Sequence, residues 1–128
     1  MVSPRNNMGD TKATGPDILR GTLDLLILRA LSWGPAHGYA IATWVESATD
    51  DALALNEGTL YPALHRLEER GWIAGKWGTS ENNRQARFYA LTRAGRAQLR
   101  VETRNWQKYA AAIFTALGAP APVRTKGK

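Results

Sequence analysis

The chain has 128 residues, a formal net charge of +6 and no cysteine, which is room for one hydrophobic core. Without cysteine there are no disulfides, thiolate nucleophiles or zinc-finger ligands, in keeping with a reducing cytoplasm. No apolar run approaches the ~20 residues that span a bilayer, and the opening residues lack the apolar stretch of a signal peptide. A pI near 10.1 directs attention to anionic partners, whether nucleic acid, membrane or acidic protein. Composition does not choose among them, so the placement of the charges must.

Residues 1–16 are polar and rich in Gly, Asn, Pro and Thr, which predicts a disordered arm; Met1 and Met8 are alternative starts. Asp17 is placed to cap a first helix. Leu23, Leu26, Ile27, Ala30 and Leu31 then recur at helical spacing and form one stripe. Leu25 and Leu28 fall off that stripe. A helix that is apolar on two sides needs cover on two sides, which implies a second subunit.

Gly34-Pro35 breaks the chain, and His37-Gly38 leads into a second helix with the stripe Ile41, Trp44, Val45 and Ala48. Thr49-Asp50-Asp51 ends it. Asn56 is the expected N-cap of a third helix, with Leu55 and Leu60 set for a hydrophobic staple. Leu60, Ala63, Leu64 and Leu67 form its buried face, and Gly71 supplies its stop. The period then changes. Trp72–Trp77 and Arg87–Leu91 are short aromatic and β-branched runs around the polar stretch 78–85, predicting a two-stranded hairpin. Thr92 caps a last helix that runs to Gly118, ahead of Pro120. The tail Ala119–Lys128 is Pro-rich and basic, and is expected to be disordered.

The predicted fold class is therefore mainly α with a small β-hairpin: a winged helix-turn-helix over residues 17–92, followed by a long C-terminal helix over 93–118. In that plan the third helix enters the major groove of DNA and the hairpin flanks it. The outward face of this helix offers Thr59, Tyr61, Pro62, His65, Arg66 and Glu69. Guanidinium and imidazole groups suit base edges, and hydroxyls near the helix start suit phosphates. A solvated helix face would carry a similar mix. Pro62 tips the balance, because a proline inside a helix costs ~3 kcal/mol and such a cost is tolerated for shape or function. Lys76, Arg84 and Arg87 give the hairpin a second basic cluster, with Gln85 and Asn82-Asn83 as uncharged donors and Glu81 as the one acid between them.

Catalysis finds no support in these residues. His37 and His65 are the two histidines, sit on different predicted helices, and have no acidic pair arranged around them. No Gly-rich loop ends in Lys-Ser or Lys-Thr, and the spacing is poor for a metal. No cofactor is expected.

The run Leu55-Asn56-Glu57-Gly58-Thr59-Leu60-Tyr61-Pro62-Ala63-Leu64-His65-Arg66-Leu67-Glu68, followed by Gly71-Trp72-Ile73, closely resembles the signature of the PadR family of bacterial transcriptional regulators. Gly21–Leu28, His37-Gly38-Tyr39 and Arg87–Thr92 with Gly95 match as well, so the resemblance covers roughly Leu19 to Leu117. It implies a dimeric winged-helix repressor that binds two-fold symmetric operators. Carried over by position, the DNA contacts would be Thr59, Tyr61, Pro62, His65 and Arg66 in the helix and Lys76, Arg84 and Arg87 in the wing. The single short C-terminal helix resembles the compact branch of the family. The wing tip departs from the family's common basic, Gly-rich pattern at Asn82–Gln85, which leaves the minor-groove contact open.

In the last helix Leu99, Thr103, Trp106, Ala110, Ile113 and Leu117 recur at spacings of four and three, a short heptad seam that Tyr109 and Phe114 widen. The expected dimer interface comprises Leu25, Leu28, Leu99, Trp106, Ala110, Ile113, Phe114 and Leu117. Such a dimer sets two recognition helices about 34 Å apart, one turn of DNA. The resemblance also implies that Trp106 lines a site for a small aromatic effector; an ordinary interface anchor is the other reading. The rival to operator binding is a winged helix used for protein or RNA contact, which would make weak use of the wing arginines.

Overall fold

The computed structural model describes residues 20–123. The predicted arm 1–16, the Asp17 cap and residues 124–128 of the predicted tail lie outside the described residues. In chain order the elements are α1 (Arg20–Leu31), β1 (Ala36–His37), α2 (Gly38–Ala48), α3 (Glu57–Glu69), β2 (Ile73–Thr79), β3 (Gln85–Leu91) and α4 (Arg93–Leu117).

Side chains satisfy the first free N–H groups of three helices. Asn56 Oδ1 accepts from the Thr59 N–H at 3.0 Å and Thr92 Oγ1 from the Gly95 N–H at 3.0 Å, the caps expected from sequence. The third cap is His37, whose Nδ1 accepts from the Ala40 N–H at 3.2 Å. At the other end of α3, Gly71 turns the chain at φ 78°.

Helix α1 lies at the centre of the fold, packed against α2, α3, α4 and β3. It contributes Leu23, Ile27, Leu28, Ala30 and Leu31 to a core completed by Ile41, Leu60, Ala63, Leu64, Leu67, Ile73 and Tyr89. Each fully buried Leu or Ile in such a core is worth ~1.5–3 kcal/mol over an exposed one. This placement corrects one expectation. Leu28 is 0% exposed within a single chain, so its own domain covers it and it needs no partner subunit. Leu25, beside it, is half-buried. Ala48 is also displaced from its predicted role: it is the exposed last residue of α2.

The sheet has three strands in the order β1-β3-β2, where sequence predicted two. The extra strand, only Ala36 and His37, pairs antiparallel with Tyr89 and Phe88. Two residues are too few to show a period, so only the proximity of β3 defines them as a strand. The hairpin register runs from Ile73↔Leu91 to Thr79↔Gln85, reaching further into the polar tip than composition indicated. The tip closes through Ser80 N–H to Arg84 O at 2.8 Å and Asn83 N–H to Ser80 O at 2.9 Å. Asn83 takes the left-handed conformation there, with φ 60°, a position Asn tolerates well.

The start of α4 is fastened to the turn between α3 and β2. Thr92 donates from Oγ1 to Gly71 O at 2.6 Å and from its N–H to Trp72 O at 3.1 Å. Gly95 lies so close to this turn that a Cβ built on it would stand 1.9 Å from Trp72 O. The first turns of α4 then pack on α1, with Leu99 half-buried against the core. Beyond them the helix extends, and its apolar residues emerge from cover.

Candidate nucleic-acid interface

The outward face of α3 carries Tyr61, Pro62 and His65 in the open, with Thr59 half-buried near its start. His65 Nε2 stands 3.4 Å from Glu69 Oε2 one turn on, and both side chains are well exposed. Arg66 does not join them. Its Nη2 donates to Asp24 Oδ1 at 2.5 Å, and Arg70 Nη1 approaches the other carboxylate oxygen at 3.7 Å. The Asp24 side chain is 7% exposed, and a carboxylate that far from water must be paired or lose its charge. The expectation of Arg66 as a base reader is therefore corrected: its guanidinium ties α3 to α1.

Arg87 is committed in a similar way. Its Nη2 donates to Glu68 Oε2 at 2.7 Å, and the Gly75 N–H reaches the same oxygen at 3.3 Å. One carboxylate on α3 thereby holds both strands of the wing. The Glu68 hydrogen bond outweighs partial desolvation and holds the Arg87 pKa above its ordinary value. Behind it, burial pushes the Tyr89 phenol up, against the nearby Arg87 charge that lowers it. Strand alternation puts Lys76 on the opposite face of the hairpin from Trp77 and Arg87, in register with Phe88. Of the wing cations predicted to act together, Arg84 at the tip and Lys76 are exposed, Lys76 lies on the opposite face from Arg87, and Arg87 is shared with α3.

Two grooves connect these elements. One, of about 1110 Å³, runs between the start of α2, α3 and the wing, and is lined by residues that include Tyr39, Tyr61, Trp77, Arg84 and Arg87. The other, about 530 Å³, lies against Tyr61, His65, Glu69 and Arg87. Tyr61, Arg87 and Tyr89 border both, so the outer face of α3 and the wing form one continuous surface. Two of its most exposed side chains are Tyr39 at 76% and Trp77 at 63%, which the sequence patterns do not single out as DNA contacts. Trp77 reads as an ordinary strand hydrophobe until its surroundings are known; its spacing from Ile73 and Gly75 along one strand face was the available signal.

On α4, Trp106, Tyr109, Ile113, Phe114 and Leu117 are all exposed, Leu117 at 77%, and Ala110 is half-buried. Among the described residues no three His, Asp or Glu side chains are grouped to hold a metal, and no helix is long and apolar enough to cross a membrane.

Three helices, a small antiparallel sheet and a long terminal helix in this order define a winged-helix protein of the kind that regulates transcription. More narrowly, residues 27–101 match the PadR-like family of transcriptional regulators, and the chain belongs to that family. It is 31% identical over 90 residues to an uncharacterised protein of Lysinibacillus sphaericus, covering 70% of this chain and 83% of that one. Among solved structures it is similar to a transcriptional regulator from Clostridium thermocellum, with a TM-score of 0.69 and 30% identity, over 77% of this chain and 96% of the other. A PadR family transcriptional regulator from Eggerthella lenta is 31% identical with a TM-score of 0.65, over 79% and 86% of the two chains.

Proposed function

We propose that this transcriptional regulator binds duplex DNA as a homodimer, with α3 in the major groove and the wing beside it, and represses by occupying a two-fold symmetric operator. The observation that carries the reading is the unbroken exposed surface from Tyr61 and His65 across to Arg84, on a chain of net charge +6. Thr59, Tyr61 and Pro62 meet the backbone and groove wall near the start of α3, and His65 faces the bases. Arg84 and Lys76 meet phosphates from the wing. Arg66 and Arg87 hold α3 and the wing in the geometry this contact requires.

Dimerisation through α4 is supported by its exposed apolar residues. A row of Trp106, Ile113 and Leu117 left in water is the kind of patch that marks an interaction surface. Trp106 stands open on a single chain, so any effector site that it lines is completed by the second one.

The reading is tested by binding to duplex DNA over a series of salt concentrations. If about eight phosphates are neutralised per dimer, log K falls against log salt with a slope near −7. A flat response overturns DNA binding. Within the site, Arg84→Ala weakens all sequences alike, whereas His65→Ala relaxes base preference.

A further inference from the structure

Trp77 is exposed where a strand residue of its size is normally covered. Aromatic side chains bury 150–250 Å² each when packed (roughly, and with large energetic consequence), yet this one is 63% exposed. Its neighbours explain why. The residue opposite it in the hairpin is Arg87, and Glu68 draws that side chain towards α3. Gly75 leaves the path open: a Cβ there would meet Arg87 Nε at 2.5 Å. The guanidinium thus lies over the glycine and 5.9 Å from the centre of the Tyr89 ring. The indole, deprived of its cross-strand cover, lines the groove that Tyr39 and Tyr61 also line.

The polar groups around this groove are mostly uncharged donors. Tyr39 is 76% exposed and Tyr61 46%, and each brings a phenol O–H. His37, also on the groove, accepts the Ala40 N–H through Nδ1; in the neutral ring its hydrogen is therefore on Nε2, another donor. Of the charged groups lining the groove, Arg87 is paired with Glu68, and Arg84 and Glu81 are one of each sign, so uncharged donors set its character. A flat apolar ring with a donor at its edge, repeated across a groove of uncharged donors, suits a sugar–phosphate chain, which offers apolar deoxyribose and anionic oxygens in alternation.

We propose that the groove between the start of α2, α3 and the wing holds one DNA strand, gripped by Trp77 and Tyr39 as uncharged backbone contacts. The inference rests on the DNA-binding reading above and adds the path of the strand and the residues that hold it. With α3 in a major groove and the wing over the adjacent minor groove, the strand that separates the two grooves runs between those elements. Trp77 Nε1–H and the Tyr39 O–H donate to phosphate oxygens, and the rings pack on the sugars. Because neither residue is charged, this grip adds affinity without displacing counterions.

That property separates it from the cationic contacts. The measurement is fluorescence anisotropy of a labelled mixed-sequence duplex of about 40 base pairs, titrated with the full chain over a range of salt. Trp77→Ala is expected to weaken binding ~5–10-fold at every salt concentration and to leave the salt slope unchanged. Tyr39→Phe, which removes one donor and keeps the ring, is expected to cost ~3–5-fold, again with the slope unchanged. Arg84→Ala should instead reduce the slope by ~0.9 for each phosphate it neutralises. Trp77→Phe covers any instability of the alanine variant, and its expected loss is about threefold, with a thermal melt matching the wild type. Binding by Trp77→Ala and Trp77→Phe within about twofold of wild type, or losses that come with a smaller slope, would overturn the grip while leaving DNA binding standing. Failure of the wild-type chain to bind the duplex at all overturns the underlying reading, and the grip with it.

Discussion

The two ends of α4 both carry apolar side chains, and they meet different surroundings. Near its start, Gly95 is buried and Leu99 packs on the core, because Thr92 is bound to both Gly71 and Trp72 across the turn after α3. Near its end, Ile113, Phe114 and Leu117 stand in water at 52%, 72% and 77% exposure. The first part of the helix is tied to the headpiece through Thr92, Gly95 and Leu99. The last part has an apolar face that no described residue of the chain covers. An amphipathic pattern therefore marks a surface to be covered without saying which molecule does the covering.

The sharpest way to break the contrast is at the fastening point. Gly95→Leu would force a side chain against the backbone carbonyl of Trp72, an atom that cannot swing aside. A loss of about 3 kcal/mol or more is expected, seen as a chain without a cooperative thermal transition. A melting temperature near that of the wild type would show that α4 is not fastened there.

Next in size is a paired comparison of two leucines that sequence assigned to the same interface. Leu28→Ala opens a cavity in a single chain's core and should cost about 2–5 kcal/mol, with a shift in melting temperature that is the same at every protein concentration. Leu117→Ala should leave the fold of each chain intact and weaken association, so its effect on melting vanishes on dilution below the dimer dissociation constant. Sedimentation over a dilution series reads the second effect directly. Identical, concentration-independent shifts from both variants would place Leu117 in the headpiece rather than at an interface.

Smaller, and aimed at the recognition helix, is Arg66→Ala. It leaves the Asp24 carboxylate buried with only the more distant Arg70 to balance it. The expected loss is about 2–3 kcal/mol, below the full figure for a buried pair because Arg66 keeps some solvent access. Base preference, measured on a panel of duplexes under conditions where the variant is folded, should not change. Intact stability with altered preference would return Arg66 to the DNA surface.

Helix positions, their Asn56 and Thr92 caps and the hairpin were legible because each is written in local signals: a period, a capping side chain, a run of turn residues. The same local patterns carried the family signature. They also indicated that α3 has one buried face and one outward face. Local pattern and structure part company where two residues distant in sequence meet. Arg66 is an outward cation by helical spacing alone, and turns inward because Asp24, 42 residues earlier, lies buried beneath it. Leu28 is surplus to the stripe of α1 when that helix is taken by itself, and is core once α2, α3 and α4 surround it. Arg87 is a free wing cation until Glu68 claims it, and its departure is what bares Trp77. Periodicity decides which side of an element a residue occupies; what waits on that side, a carboxylate, a core or open solvent, is decided by packing between distant parts of the chain.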